Sequence, residues 1–263
     1  MTKPPFRIVE AVFDGMTQLD FTAPHTVFTR MPDCEVIVAS AAGGPVASDG
    51  GLTFAGTAPM ANVERCDLLF VPGGLVATAV MNDPAFMTQA IRLAGQARYL
   101  TSVCTGSLIL AATGLIKGRR AACHWAWRDL LELFGVVPDP ARVARDGNLI
   151  TGGGVTAGLD LALTVAAELA GAEIAQAIQL GIEYAPAPPF ESGRPELAPP
   201  EILARVRRQM DAMAPGRAAQ AREAAARVLA SQPVEAGAAV DRRMQAWDDA
   251  NAEPTPRAQR KGF

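Results

Sequence analysis

The sequence predicts an α/β fold with a mostly parallel sheet, and three stretches carry that prediction. Residues 67–74, DLLFVPGG, are a continuous apolar run halted by Pro and two glycines, as expected of a strand buried on both faces of a parallel sheet. Residues 98–118, RYLTSVCTGSLILAATGLIKG, read as a second buried strand that turns at Cys104 straight into a helix. Between them, residues 84–97, PAFMTQAIRLAGQA, have the spacing of an amphipathic connecting helix.

The remaining elements follow in chain order. FRIVEAVF, residues 6–13, is a first strand, followed by the loop DGMTQLD. FTAPHTVFTRM, residues 21–31, is a short helix with a Pro in its opening turn. Asp20 stands before it, either as an N-cap or as a carboxylate at the carboxyl end of a parallel strand, where open α/β sheets collect active-site groups. CEVIVASA, residues 34–41, is a strand, and the Gly-spaced segment after it reads as a hairpin or loop excursion. Gly73 and Gly74, past the strand at residue 67, leave backbone N–H groups open either for an oxyanion nest or for an ordinary turn into the next helix.

Cys104 is the centre of the sequence pattern. A thiol at a strand-to-helix junction faces unpaired N–H groups and the positive end of the helix dipole, so the thiolate is the expected form. Thr105, Gly106 and Ser107 are small or polar residues suited to a tight turn and a first helical turn. Read without function, Cys104 is a small buried hydrophobe.

Beyond the Cys104 helix, RRAACHWAWRDLLELFG gives a short strand and a helix closed by Gly135, with His124 read as a structural histidine among aromatic neighbours. ARVARDGNLITGGG reads as a hairpin on a type I′ Asp146-Gly147 turn. Residues 155–170 form a nearly all-apolar helix, which implies either a homodimer interface or a buried core helix. A proline-crowded extended segment follows from Glu183. Residues 201–230 are Ala- and Arg-rich and helical, and 231–263 are a polar, partly disordered tail with a short helix around Val240 to Asp249.

Composition excludes several classes. A net charge of -3 supplies no basic excess for nucleic acid or an anionic membrane. The start MTKPPFRIVEAVF has no apolar leader, and no apolar window spans a bilayer, so a cytoplasmic location is expected. Four cysteines without CxxC spacing and only two histidines give no disulfide framework and no metal site. Neither a GxGxxG after a strand nor a P-loop occurs, so no cofactor is expected.

Taken together, SVCTGSLILAATGLIKGRRAACHW, QLDFTAP, VPGG, ARVARDGNLITGGGVTAGLDLAL and EYAPAPPF resemble the isocyanide-hydrating branch of the ThiJ/PfpI superfamily over residues 6–230. That resemblance implies a flavodoxin-like three-layer sandwich with the class I glutamine amidotransferase-like fold, a nucleophile elbow at Cys104, and a homodimer. It implies that Asp20 is the catalytic acid/base, that Thr105 lies beside the sulfur, and that Gly73 and Gly74 supply backbone donors. The substrate implied is a small isocyanide, hydrated to an N-substituted formamide through a covalent thioimidate without metal or cofactor. The organisation expected is an α/β domain over 1–195, a helical extension over 196–230 and a tail over 231–263.

Where the superfamily's peptidases place His after the nucleophile this chain has Thr105, and no His follows His124 for an amidotransferase triad. Two alternatives stay open: a glyoxalase- or deglycase-like enzyme on the same residues, and a sensor domain related to AraC-family regulators. The short chain beyond Pro195 lacks a compact pair of helix-turn-helix units, which argues against the second. Oxidation sensing by Cys104 is a further expectation for an exposed, low-pKa thiol.

Overall fold

The computed structural model describes residues 4–231. The chain runs β1 (Phe6–Ala11), α1 (Gln18–Phe28), β2 (Cys34–Ser40), β3 (Gly44–Ala47), β4 (Thr53–Pro59), β5 (Leu68–Val71), α2 (Ala77–Val80), α3 (Pro84–Gln96), β6 (Tyr99–Val103) and α4 (Gly106–Ala111). It continues through β7 (Arg120–Ala122), a 3-10 segment (Arg128–Phe134), β8 (Val137–Asp139), β9 (Val143–Asp146), β10 (Leu149–Gly152), α5 (Ala157–Ala170), α6 (Ala172–Gly181), α7 (Pro200–Met213) and α8 (Arg217–Ser231).

Eight strands make one sheet in the order β3-β4-β2-β1-β5-β6-β10-β9, parallel from β4 to β10 with antiparallel β3 and β9 at its edges. Every residue of β5 and β6 is buried, as their unbroken apolar runs require when helices cover both faces. Side-chain alternation along β1 divides the core: Val9 joins the cluster under α3, α4 and α8, while Ile8 joins the one under α1, α5 and α6. Helices on both faces of a mostly parallel sheet give the three-layer α/β sandwich expected of the flavodoxin-like class.

Three local readings are corrected and one helix is added. α1 begins at Gln18, so Asp20 lies inside the first helical turn and Thr17 holds the cap position. In the β9–β10 hairpin the central residues are Gly147 and Asn148, and only Gly147 has positive φ (57°), the sign pattern of type II′ and not of the I′ turn expected. The helix before Gly135 is wound as 3-10. α6 was not read from the sequence: the helix expected over 155–170 ends at Ala170 as expected, and a second begins directly after Gly171, at φ 89°. The expected tail helix around Val240 to Asp249, and nearly all of the 231–263 tail, lie outside the described residues.

The proline-rich stretch between α6 and α7 contains no helix or strand, as the missing amides demand. α8 then returns to the body. Its buried Ala221, Ala224 and Ala225 pack into the larger core cluster, and Gln220 accepts from Thr78 Oγ1 at 2.6 Å.

Candidate active site

Cys104 is the first residue past β6 and is held at φ 59°, a left-handed conformation that a non-glycine residue adopts at a cost. The sharp turn is over-determined by its surroundings. The Cys104 N–H donates to Gly152 O at 3.1 Å, so the neighbouring β10 extends its ladder past the end of β6. Gly106 begins α4 so close to β5 that a Cβ there would sit 2.2 Å from Val71 O, which excludes any side chain.

Asp20 reaches the same place from the first turn of α1. It is fully buried, and its Oδ2 accepts from Gly73 N–H at 2.9 Å while Oδ1 has no well-aligned hydrogen-bond partner. The carboxyl and the Cys104 thiol are close enough to shift each other's titration. Burial, more than the favourable contacts with the thiol and Gly73, pushes Asp20 up from 3.8 to about 7. Burial and the adjacent Asp20 charge push Cys104 well above the usual thiol range, against a smaller opposite effect from the Thr105 N–H. Burial and the Asp20 charge thus oppose the thiolate that position alone favours. α4 spans only Gly106–Ala111, and the start of so short a helix does not outweigh the loss of water around the sulfur.

Thr105 is buried, and its Oγ1 donates to Gly74 O and accepts from Gly74 N–H, each at 2.8 Å. Gly73 N–H is committed to Asp20 in the same way, so the two amides expected to form an open nest are both occupied at rest. Their glycine identity has a steric cause: a Cβ on Gly73 would lie 2.7 Å from Asp20 Oδ2, and one on Gly74 would lie 2.7 Å from Gly15 O.

A cavity of about 180 Å³ opens on the sulfur. Cys104, Thr105 and Gly74 line it, whereas Asp20 lies behind the thiol and off the cavity wall. Other walls come from residues assigned no site role in the sequence: Thr17, Asp49, Leu75, His124, Trp127, Val155, and Met210 and Met213 of α7. His124 accepts from Ala126 N–H through Nδ1 at 3.2 Å, which leaves the proton on Nε2, and burial lowers it to about 4, so it is neutral. It is both the satisfied histidine the sequence suggested and a wall of the site. The loop carrying it is anchored by Ser107 Oγ donating to Ala122 O at 2.6 Å and by Ala122 N–H donating to Thr151 Oγ1 at 2.7 Å. The spacing of Met210 and Met213, one turn apart on a helix, was a signal available in the sequence.

Among the described residues no three His, Cys, Asp or Glu side chains are placed to hold a metal, and no helix is long and apolar enough to cross a membrane.

Comparison with known proteins adds to this geometry. A family model described as the DJ-1/PfpI family matches residues 7–168. The chain is 46% identical over 198 residues to an isonitrile hydratase from Pseudomonas putida, covering 75% of this chain and 87% of that one. A solved ThiJ/PfpI family protein from Pseudomonas syringae superposes with a TM-score of 0.77 at 39% identity, over 84% of this chain and 90% of the other. An HTH-type transcriptional regulator, CdhR, from Pseudomonas aeruginosa is 32% identical over 142 residues, but the match spans only 41% of its length.

Proposed function

The chain belongs to the DJ-1/PfpI family, and from that premise we propose that it hydrates an isocyanide (isonitrile) to an N-substituted formamide, with Cys104 as nucleophile and Asp20 as proton carrier. The observation that carries the reading is a thiol on a cavity wall backed by a buried acid. The 46% identity to the Pseudomonas putida isonitrile hydratase supports the substrate class.

The terminal carbon of an isocyanide accepts a proton and a nucleophile in one addition, and the thiol–carboxylate pair supplies both. Asp20 takes the S–H proton as the sulfur bonds to that carbon, then delivers the proton to the same carbon, giving the thioimidate R–N=CH–S–Cys104. The Thr105 N–H steadies negative charge on the sulfur during the attack. Asp20, again a carboxylate, draws a proton from water as the water oxygen adds to the C=N carbon and passes that proton to the nitrogen, giving R–NH–CH(OH)–S–Cys104, whose hydroxyl proton is the one the sulfur receives. Breaking the C–S bond releases R–NH–CHO and returns the proton to the sulfur. Isocyanide and water balance formamide, so the cycle needs no cofactor. Gly73 and Gly74 serve it by fixing Asp20 and Thr105.

The proposed enzyme is a cytoplasmic homodimer whose α/β body, residues 1–195, carries a helical extension over 196–230. Supporting the dimer, Leu159, Leu163 and Leu169 on α5 pack against the smaller core cluster yet remain partly exposed. The test is formamide production from an aryl isocyanide, with methylglyoxal assayed beside it. Cys104→Ala is expected to abolish turnover and Asp20→Asn to remove most of it. Full formamide production by Cys104→Ala would refute the assignment, and turnover of methylglyoxal alone would favour the glyoxalase-like reading.

A further inference from the structure

We infer that α7 sets which isocyanides are accepted: Met210 and Met213 are the wall against which the substrate's N-substituent packs, and the wall admits one apolar group about the size of a single ring. This rests on the hydratase reading for the chemistry at the sulfur, but the wall itself is a property of the cavity.

α7 lies beyond residues 7–168, which the family model matches. It has no fully buried residue, so the core does not require it. What it contributes is one face over the cavity, where Met210 and Met213 stand one turn apart. Met210 packs on the larger core cluster and forms the inner wall, and Met213, half exposed, stands at the mouth.

The helix is fixed there by arginines. Arg217, at the start of α8, places its guanidinium 4.9 Å from the centre of the Trp127 ring. It also donates to Met210 O at 3.3 Å and Ala214 O at 3.4 Å and pairs with Asp211, tying the last turn of α7 to the aromatic wall opposite. Arg207 of α7 lies 5.5 Å from the ring centre of Trp125. Two cation–π contacts thus seat a helix that has little buried area of its own.

The lining defines the ligand. Leu75, Val155, the Trp127 ring and the two methionines give the cavity an apolar side on which a hydrocarbon substituent packs, while Thr17, Asp49, Thr105 and His124 make the rest of its lining polar. An apolar cavity of about 150 Å³ holds a benzene molecule. The 180 Å³ here therefore suits one ring or a branched alkyl group together with the isocyano carbon, and a fused bicycle exceeds it. Unbranched thioethers adapt to different shapes of that size.

The experiment compares kcat/KM for phenyl and 2-naphthyl isocyanide in the wild type, Met210→Ala, Met213→Ala and Met210→Leu. The wild type is expected to favour phenyl strongly. Met210→Ala is expected to raise the naphthyl-to-phenyl ratio about tenfold or more, the scale on which apolar pockets discriminate by small volume changes. Met210→Leu should keep the wild-type ratio. Independently of turnover, alkylation of Cys104 by N-ethylmaleimide and by N-(1-pyrenyl)maleimide is followed on the Cys104 peptide by mass spectrometry. Shortening either methionine should speed the pyrenyl reagent selectively, and Met213→Ala, at a half-exposed position, keeps the test open if Met210→Ala does not fold. An unchanged alkylation ratio in both alanine variants, or equal wild-type use of the two isocyanides, overturns the inference. A shifted alkylation ratio in a protein that hydrates no isocyanide supports the wall and overturns the hydratase reading instead.

Discussion

A single proton shared between Cys104 and Asp20 decides whether the pair can react. With Asp20 near 7 and the thiol well above its usual range, the reactive form, carboxylate beside S–H, dominates from about pH 7 upward until the thiol ionises. Below pH 7 both groups are protonated and the pair lacks a base. We therefore expect kcat/KM for an isocyanide to fall with decreasing pH through about 7, and an Asp20→Asn variant to lack that limb. A flat profile from pH 5 to 8 would show that Asp20 does not carry the proton. The same shift has a stability consequence. A carboxyl whose value rises from 3.8 to about 7 on folding makes the folded state the tighter proton binder, so its cost is absent below about pH 4 and complete above about 7. Asp20→Asn retains an oxygen to accept from Gly73 N–H, so it should stabilise the fold at pH 8 by up to about 4 kcal/mol, taking about 1.4 kcal/mol per pH unit. Urea unfolding at pH 8 and pH 5 should show that gain shrinking at the lower pH. The position of Cys104 was legible because strand, sharp turn and helix are contiguous in the chain. Its protonation was not, because the burial and the acid that set it arrive from α1 and β5.

α1 is the element that carries the acid, and it is pinned at its other end as well. His25, in its last turn, meets Glu10 of β1 through Nδ1 and Oε2 at 2.6 Å. Glu10 is fully buried with its second oxygen unpartnered, and burial raises its pKa despite the histidine, whose own is raised chiefly by the hydrogen bond to Glu10. Removing the imidazole orphans a buried acid, so His25→Ala should cost about 2 kcal/mol at pH 7. The loss should be smaller at pH 5, where the orphan takes up a proton. Glu10→Leu with His25→Leu should return stability to within about 1 kcal/mol of the wild type, since a buried ion pair is often replaceable by hydrocarbon of similar volume. Denaturant titrations of the single and double variants check this. Neither partner was singled out in the sequence, because a Glu in an apolar strand and a His in a short helix reveal their contact only once α1 folds back over β1. Elements defined by their own periodicity, such as β5, β6 and α3, were readable in advance. The type of the Gly147 turn depends on backbone signs that residue type alone leaves open.

At the scale of the whole molecule, the sheet separates two cores, and their outer surfaces are closed differently. On the larger side α8 packs back over α2 and the 3-10 segment, while α7 reaches the cavity. On the other side α5 packs on β6, β9 and β10 and against α1 and α6. Its inner face, Ala157, Leu161, Ala162, Val165 and Ala166, is buried, and Gly158 approaches the ring of Pro24 on α1 closely enough that a Cβ would lie 3.1 Å away. The same helix turns Leu159, Leu163 and Leu169 partly outward, so a helix that read as apolar nearly all round is only half covered by its own chain. The inner face is thus the buried core helix that the sequence allowed, and the outer face is where we propose the homodimer forms. Leu159 and Leu163, one turn apart, are partly exposed apolar side chains of the kind an association site uses, and the N-terminal end of α5 ties that face to the site: Val155, just before the helix, lines the cavity. A homodimer joined through this face predicts that Leu163→Asp, placing a charge on it, shifts the chain from dimer to monomer in light scattering after size exclusion. The monomer should also lose the concentration dependence of its melting temperature, which association imposes by mass action. If Leu163→Asp remains dimeric with the wild-type melting behaviour, the interface lies elsewhere, and the outward leucines are then surface residues of an independent protomer.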